Sequence, residues 1–182
     1  MFLVSGVDLV LAACRSGIIG SFPAPNARTI EDLDSWCATI NAELADADAP
    51  WALSLTAHRT YPRLTQELEL VAQHRPPVVI TALGSPKSVI ETVRSYDGLV
   101  FADVISTRQA RSAVAAGVDA LLLVCAGAGG HTGRYSPFAF VEEVRAFWDG
   151  PVILSGAVAS GRAIAAAQLL GADLVSVGTR FI

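Results

Sequence analysis

The sequence predicts an α/β fold of the (β/α)8 barrel type, on three observations. Seven apolar runs recur along 182 residues, six segments of helical period lie between them, and the unusual residues follow the runs rather than precede them. The runs do not alternate apolar and polar residues, so each reads as a strand buried on both faces, as in a parallel sheet beneath helices. Turns that enter strands are plain, such as Gly117–Ala120 and Gly171–Leu174, whereas glycine and histidine gather after strand ends. That asymmetry marks a barrel whose site lies at the C-terminal ends of its strands. An open doubly wound sheet is the alternative.

The elements follow in order. Met1 and Phe2 read as the tail of a strand, and SGIIGSF (Ser16–Phe22) as the first full one. Thr29–Leu44 is a helix because Thr29 offers an N-cap with Asp32 three residues on, close to a capping box. The strand WALSL (Trp51–Leu55) is followed by a helix over Arg63–His74, and VVITAL (Val78–Leu83) by one over Ser85–Tyr96. LVFADVI (Leu99–Ile105) leads into Ser106–Gly117, ALLLVC (Ala120–Cys125) into Ser136–Trp148, and VILSG (Val152–Gly156) into Ser160–Gly171. LVSVG (Leu174–Gly178) closes the series. Gly117 and Gly171 stand where a helix end takes a left-handed residue. A closed barrel has eight strands and roughly 250 residues. Residues 1–182 are therefore expected to form one barrel domain truncated at both ends.

Composition narrows the function. Apolar residues make up 52% and charged ones 16%, which describes a core-rich globular chain rather than a disordered one. The net charge is −4 with basic residues scattered, so no nucleic-acid surface is expected. Cys14, Cys37 and Cys125 are far apart, without metal-ligand spacing, and fit a reducing compartment with neither a disulfide framework nor a metal site. The apolar runs fall well short of the roughly 20 residues that span a bilayer. No basic region precedes the first of them, so a signal peptide is not expected. The expected location is the cytoplasm, without a membrane partner.

Two features carry the chemistry. In CAGAGGHTG (Cys125–Gly133) a strand end runs into glycines and then His131, whose imidazole can act as a base near neutral pH. The glycines allow close approach to a flat ligand. The last two strands also end alike: Ser155, Gly156 and Ala157 precede a helix starting near Ser160, and Gly178 with Thr179 follow the next strand. In a barrel these loops are neighbours, and their amides form the usual phosphate site. Other candidates have plainer readings. His58 suits a solvated loop, His74 a helix C-terminus, and Glu67, Glu69, Glu142 and Glu143 solvated helix faces. Trp36, Trp51 and Trp148 suit the core, and Cys125 a small buried apolar position. Asp103 stands out as a carboxylate inside an otherwise apolar strand.

AGAGGHTG, followed by PVILSGAVASGRAIAAAQLLGADLVSVGTRF, resembles the nitronate monooxygenase (2-nitropropane dioxygenase) family of FMN-dependent TIM barrels. The resemblance implies oxidation of alkyl nitronates or nitroalkanes with O2, with His131 as the base that removes the α-proton. It assigns Ser155, Gly156, Ala157, Gly178 and Thr179 to the FMN phosphate, and Gly129 and Gly130 to the flavin-contacting loop. Met1, Phe2 and Ser54 fall at further cofactor positions, and a homo-oligomer is compatible with it. The chain departs from the family pattern in several places. Gly127 stands for Glu, Val124 for Gln, Ala157 for Gly and Ser54 for Asn, while Asp103 falls near a position often Lys. Two alternatives remain: an enoyl-acyl carrier reductase-like flavoprotein, or a degenerate barrel that binds a phosphate ligand without catalysis.

Overall fold

The structure, a computed structural model, describes residues Met1–Ile182. Seven parallel strands are hydrogen-bonded in sequence order, first to last. A doubly wound sheet would reverse its order part-way; this one does not. It is the wall of a TIM barrel, represented by seven strands. The chain forms two compact units, Met1–Val100 and Phe101–Ile182.

The first unit holds α1 (Val7–Arg15), β1 (Gly20–Pro23), a 3-10 turn (Ala24–Asn26) and α2 (Ile30–Glu43), then β2 (Trp51–Thr56) and α3 (Leu64–His74). β3 (Val78–Ala82), α4 (Lys87–Arg94) and the start of β4 (Leu99–Val104) complete it. α2 begins as its sequence requires. The Thr29 hydroxyl accepts from the Asp32 amide, and the Asp32 carboxylate accepts from the Thr29 amide. Phe22 is fully buried between Trp36 and Trp51, with ring centroids 5.6 and 6.1 Å away.

The amino end differs from expectation. Met1–Val4 forms a turn, in which the Met1 carbonyl accepts from the Ser5 amide at 3.0 Å, rather than the tail of a strand. VDLVLAACR is a helix, because Val10, Leu11 and Cys14 recur at helical spacing and all three are buried. Ser16–Ile19, expected as the start of the first full strand, lie outside it, and Ile18 and Ile19 are exposed. The first strand therefore starts at Gly20, where a Cβ would lie 2.5 Å from the Val10 carbonyl oxygen. Glu67 also departs from its expected solvated face. It is fully buried, accepting from the Tyr61 hydroxyl at 2.9 Å and pairing with Arg63 Nε at 3.3 Å.

The second unit continues with α5 (Thr107–Ala116), β5 (Ala120–Val124), α6 (Pro137–Arg145), β6 (Val152–Ser155), α7 (Gly161–Leu169) and β7 (Leu174–Ser176). A 3-10 turn (Thr179–Phe181) follows. Gly117 ends α5 at φ 90°, as predicted. Parallel strands adjacent in sequence are joined by helical crossovers, which as a rule are right-handed and lie on one side of a sheet. The helix-covered face is sealed by Ala102, Val104, Leu121, Leu123, Val152 and Leu154, each at most 3% exposed. The other face carries Asp103, Leu122, Ile153 and Leu174 in one register row. No helix in the chain is long and apolar enough to cross a membrane.

Candidate functional site

The site residues of the second unit meet at the C-terminal ends of its strands. Val124, Ser155 and Ser176 form the last register row. Ser155–Ala157 and Gly178–Thr179 thus leave adjacent parallel strands at the same end. The segment after β5 rests on the first of these turns: the Cys125 amide donates to the Ser155 carbonyl at 2.8 Å. A Cβ on Gly156, which has φ 149°, would lie 3.1 Å from the Ala126 carbonyl oxygen. One on Gly127, at φ 96°, would lie 3.3 Å from the Ala157 Cβ. The backbone approaches closely here, and glycine permits it.

The loop carrying His131 is pinned at both ends. The Ala126 amide donates to the Tyr135 carbonyl at 2.8 Å, and the Thr132 hydroxyl to the Cys125 carbonyl at 2.9 Å. Gly133 lies against β5, where a Cβ would fall 2.1 Å from the Val124 carbonyl oxygen. His131 itself is exposed and its ring makes no hydrogen bond within the chain, so neither nitrogen is committed to holding the fold. At Gly129 and Gly130 an added Cβ would meet nothing within 4 Å. Open space fronts this loop.

Beside it, a hollow of about 470 Å³ is lined by Ala159, Ser160, Gly161, Ile164, Val177 and Arg180. Its floor is the start of α7, where Ser160 caps the helix by accepting from the Ala163 amide. The first amides of any helix have no intrahelical acceptor. Those of Gly161 and Arg162 join the cationic Arg180 as donors suited to an anion. Arg180 is not among the residues that the sequence pattern assigns to the phosphate. Its signal was the GTRF segment itself, in which an arginine follows the two residues singled out.

The remaining candidates have other duties. Met1, Phe2 and Ser54 belong to the first unit. The Met1 carbonyl accepts from Asn26 Nδ2 at 2.9 Å, Phe2 is largely exposed, and Ser54 is half-buried on β2 in register with Pro23 and Ile80. His58 Nδ1 lies 2.7 Å from Thr60 Oγ1, tying up its own exposed turn. His74 pairs with Asp34 of α2. Cys125 is fully buried, and burial pushes its thiol up to about 11, so it offers no thiolate. Asp103 is buried enough that its carboxyl is pushed up to about 7.

The sequence matches the nitronate monooxygenase family over residues 24–182. The chain belongs to that family. Among its relatives is the nitronate monooxygenase of Paraburkholderia phytofirmans, 31% identical over 63% of this chain and 34% of that protein. The (3aS,4S,5R,7aS)-5-hydroxy-7a-methyl-1-oxo-octahydro-1H-indene-4-carboxyl-CoA dehydrogenase of Mycobacterium tuberculosis is 29% identical over 98% of this chain and 50% of that protein. The chain spans half or less of the length of these curated relatives. In three dimensions it matches FabK from Thermotoga maritima with a TM-score of 0.89 and 28% identity, over 100% of this chain and 56% of that one. Membership in this family implies FMN as the cofactor. The residues present fit such a group. The hollow at α7 supplies anion donors, and the glycine loop beside it leaves space a side chain would fill.

Proposed function

We propose that the chain binds FMN and oxidises alkyl nitronates, or nitroalkanes after deprotonation, with O2. Supporting this reading, beside family membership, is the loop that carries His131. It rests on the Gly156 turn, next to the anion-suited hollow at the start of α7. The phosphate is held by the turns at Ser155–Ala157 and Gly178–Thr179 together with the first amides of α7 and Arg180. Gly129 and Gly130 give the ring system its clearance. Bound FMN supplies the redox chemistry, accepting electrons from the substrate and passing them to O2.

The chain's own contribution is a base. A neutral nitroalkane must lose its α-proton before oxidation, and a ring nitrogen of His131 accepts it. Because that ring is exposed, the proton leaves to water. A pre-formed nitronate needs no base.

His131→Ala should therefore lower turnover of a neutral nitroalkane by about 10²-fold or more, while nitronate oxidation and FMN affinity stay as in the wild type. The measurement is oxygen consumption by the FMN-loaded chain with each substrate form, beside a flavin-binding titration. Equal loss on both substrate forms, or loss of flavin, would give His131 a structural role instead. A second reading is oxidation or reduction of a CoA thioester, favoured by the dehydrogenase relative that aligns over 98% of the chain. A change in the flavin spectrum on adding an acyl-CoA, with none on adding nitronate, selects it.

A further inference from the structure

Asp103 is a buried ionisable group that the proposed chemistry does not use. It lies in β4 between Ala102 and Val104, both 2% exposed on the helix-covered face. Strand alternation turns its side chain to the helix-free face. There it shares a row with Leu122 and Ile153, themselves 7% and 5% exposed. Its Oδ1 is sealed from solvent and has no hydrogen-bond partner, although the residue as a whole stays partly accessible. No other ionisable residue occurs in β4, and β3 (VVITA), β5 (ALLLV) and β6 (VILS) contain none. On the loops at the strand ends of the second unit, His131, Arg134 and Arg180 are the groups that carry or can carry a positive charge. None of them bonds to it, and burial is the one cause that moves its carboxyl.

An ionised carboxylate without a partner is costly in apolar surroundings. The neutral acid costs less, and it is a hydrogen-bond donor that the chain itself leaves without an acceptor. One row further toward the strand ends, about 7 Å along the strand, lie Val124, Ser155 and Ser176. That row is the floor of the proposed cofactor site.

We propose that Asp103 is a binding residue for the ring system of the flavin, a neutral carboxylic acid that donates a hydrogen bond to a ring carbonyl or unprotonated ring nitrogen. This inference rests on the FMN reading above. It makes flavin binding proton-linked, because an acid that serves an acceptor must keep its proton. Ionised, the same group sets a negative charge against the acceptor and binding weakens.

The test measures FMN and riboflavin affinity by flavin fluorescence from about pH 5.5 to about pH 8.5. It uses the whole chain as wild type, Asp103→Asn and Asp103→Leu. Riboflavin lacks the phosphate, so a slope common to both flavins does not come from phosphate titration. The wild-type dissociation constant for either flavin should rise by about tenfold per pH unit above the carboxyl's pKa. Asp103→Asn keeps a donor but cannot ionise. Its profile should be flat for riboflavin, and at the alkaline end it should bind about tenfold more tightly than wild type or better. Asp103→Leu has no donor and should bind weakly at every pH, with circular dichroism confirming its fold. Superimposable wild-type and Asp103→Asn profiles overturn the proposal. So does wild-type affinity that strengthens with pH where Asp103→Asn does not. Failure of the wild type to bind either flavin at any pH overturns the FMN reading itself, and this inference with it.

Discussion

Gly127 and Ala157 are fitted to each other across the two loops. Ala157 has φ 53°, the left-handed region where a side chain costs roughly 1–2 kcal/mol. Its methyl group has room because Gly127 has none, and a Cβ there would come within 3.3 Å. The family pattern, with Glu at the first position and Gly at the second, distributes bulk the other way. Ala157→Gly should raise stability by about 0.5–1 kcal/mol, because added freedom in the unfolded chain offsets part of the strain relieved. Gly127→Glu should be destabilising, and less so when Ala157→Gly is already present. A double-mutant cycle by urea denaturation should give a coupling of about 0.5 kcal/mol or more. Strict additivity would mean that the two loops do not press on one another. The glycines were visible in the sequence, but their pairing was not, since it depends on two strand ends that lie side by side only in the fold.

At the level of elements, the start of α7 and the exit of β7 line one hollow whose donors suit an anion. A helix start offers directed amides but only partial charge, and Arg180 brings a whole one to the same hollow. Arg180→Ala should weaken FMN by about tenfold, the loss of one charge-assisted hydrogen bond. Riboflavin affinity should stay unchanged, and flavin fluorescence titration reads both. Equal weakening of the two flavins would remove Arg180 from the phosphate. Helices such as α2, α5 and α7 were legible because Thr29, Ser106 and Ser160 announce their starts, and each side chain does accept from an amide three residues on. The amino end was not. VDLVLAACR and SGIIGSF form one apolar stretch in which helical and strand spacing compete, and the turn at Gly17, φ 79°, settles it. Glu67 departs from its expected solvated face for a related reason. Its i,i+4 partner Arg63 was in plain view, but Tyr61, which caps the buried carboxylate, reaches it only because the loop after β2 folds back.

Across the whole chain, the order of the strands followed from the sequence because each crossover carries one helix and nothing interrupts the series. What spacing could not reveal was how completely the environment of Asp103 is stripped of charge, because that environment is assembled from neighbouring strands. This has a consequence for the stability of the molecule without cofactor. The carboxyl ionises near 3.8 when unperturbed and is pushed by burial to about 7 in the fold. Between those values the folded chain holds a proton that the unfolded chain has released, so stability falls as pH rises through this window and levels off above it. A shift of that size corresponds to a loss of about 4 kcal/mol at most. Glu67, also raised by burial, adds to the fall. Asp173 acts in the opposite sense: burial opposes its ionisation, but the Val152 amide and Arg145 outweigh that and hold it low. Both are unchanged in Asp103→Asn, so the difference between variant and wild type isolates Asp103. Urea denaturation should find the two proteins closest in stability near pH 4 and the variant ahead near pH 8 by about 2–4 kcal/mol. Saturating FMN should widen that gap at alkaline pH, because a flavin that accepts the hydrogen bond holds the proton on the acid to higher pH, so folding goes on costing a proton above the apo carboxyl's pKa. A gap that is the same at both ends of the range would mean that the buried carboxyl does not titrate with folding.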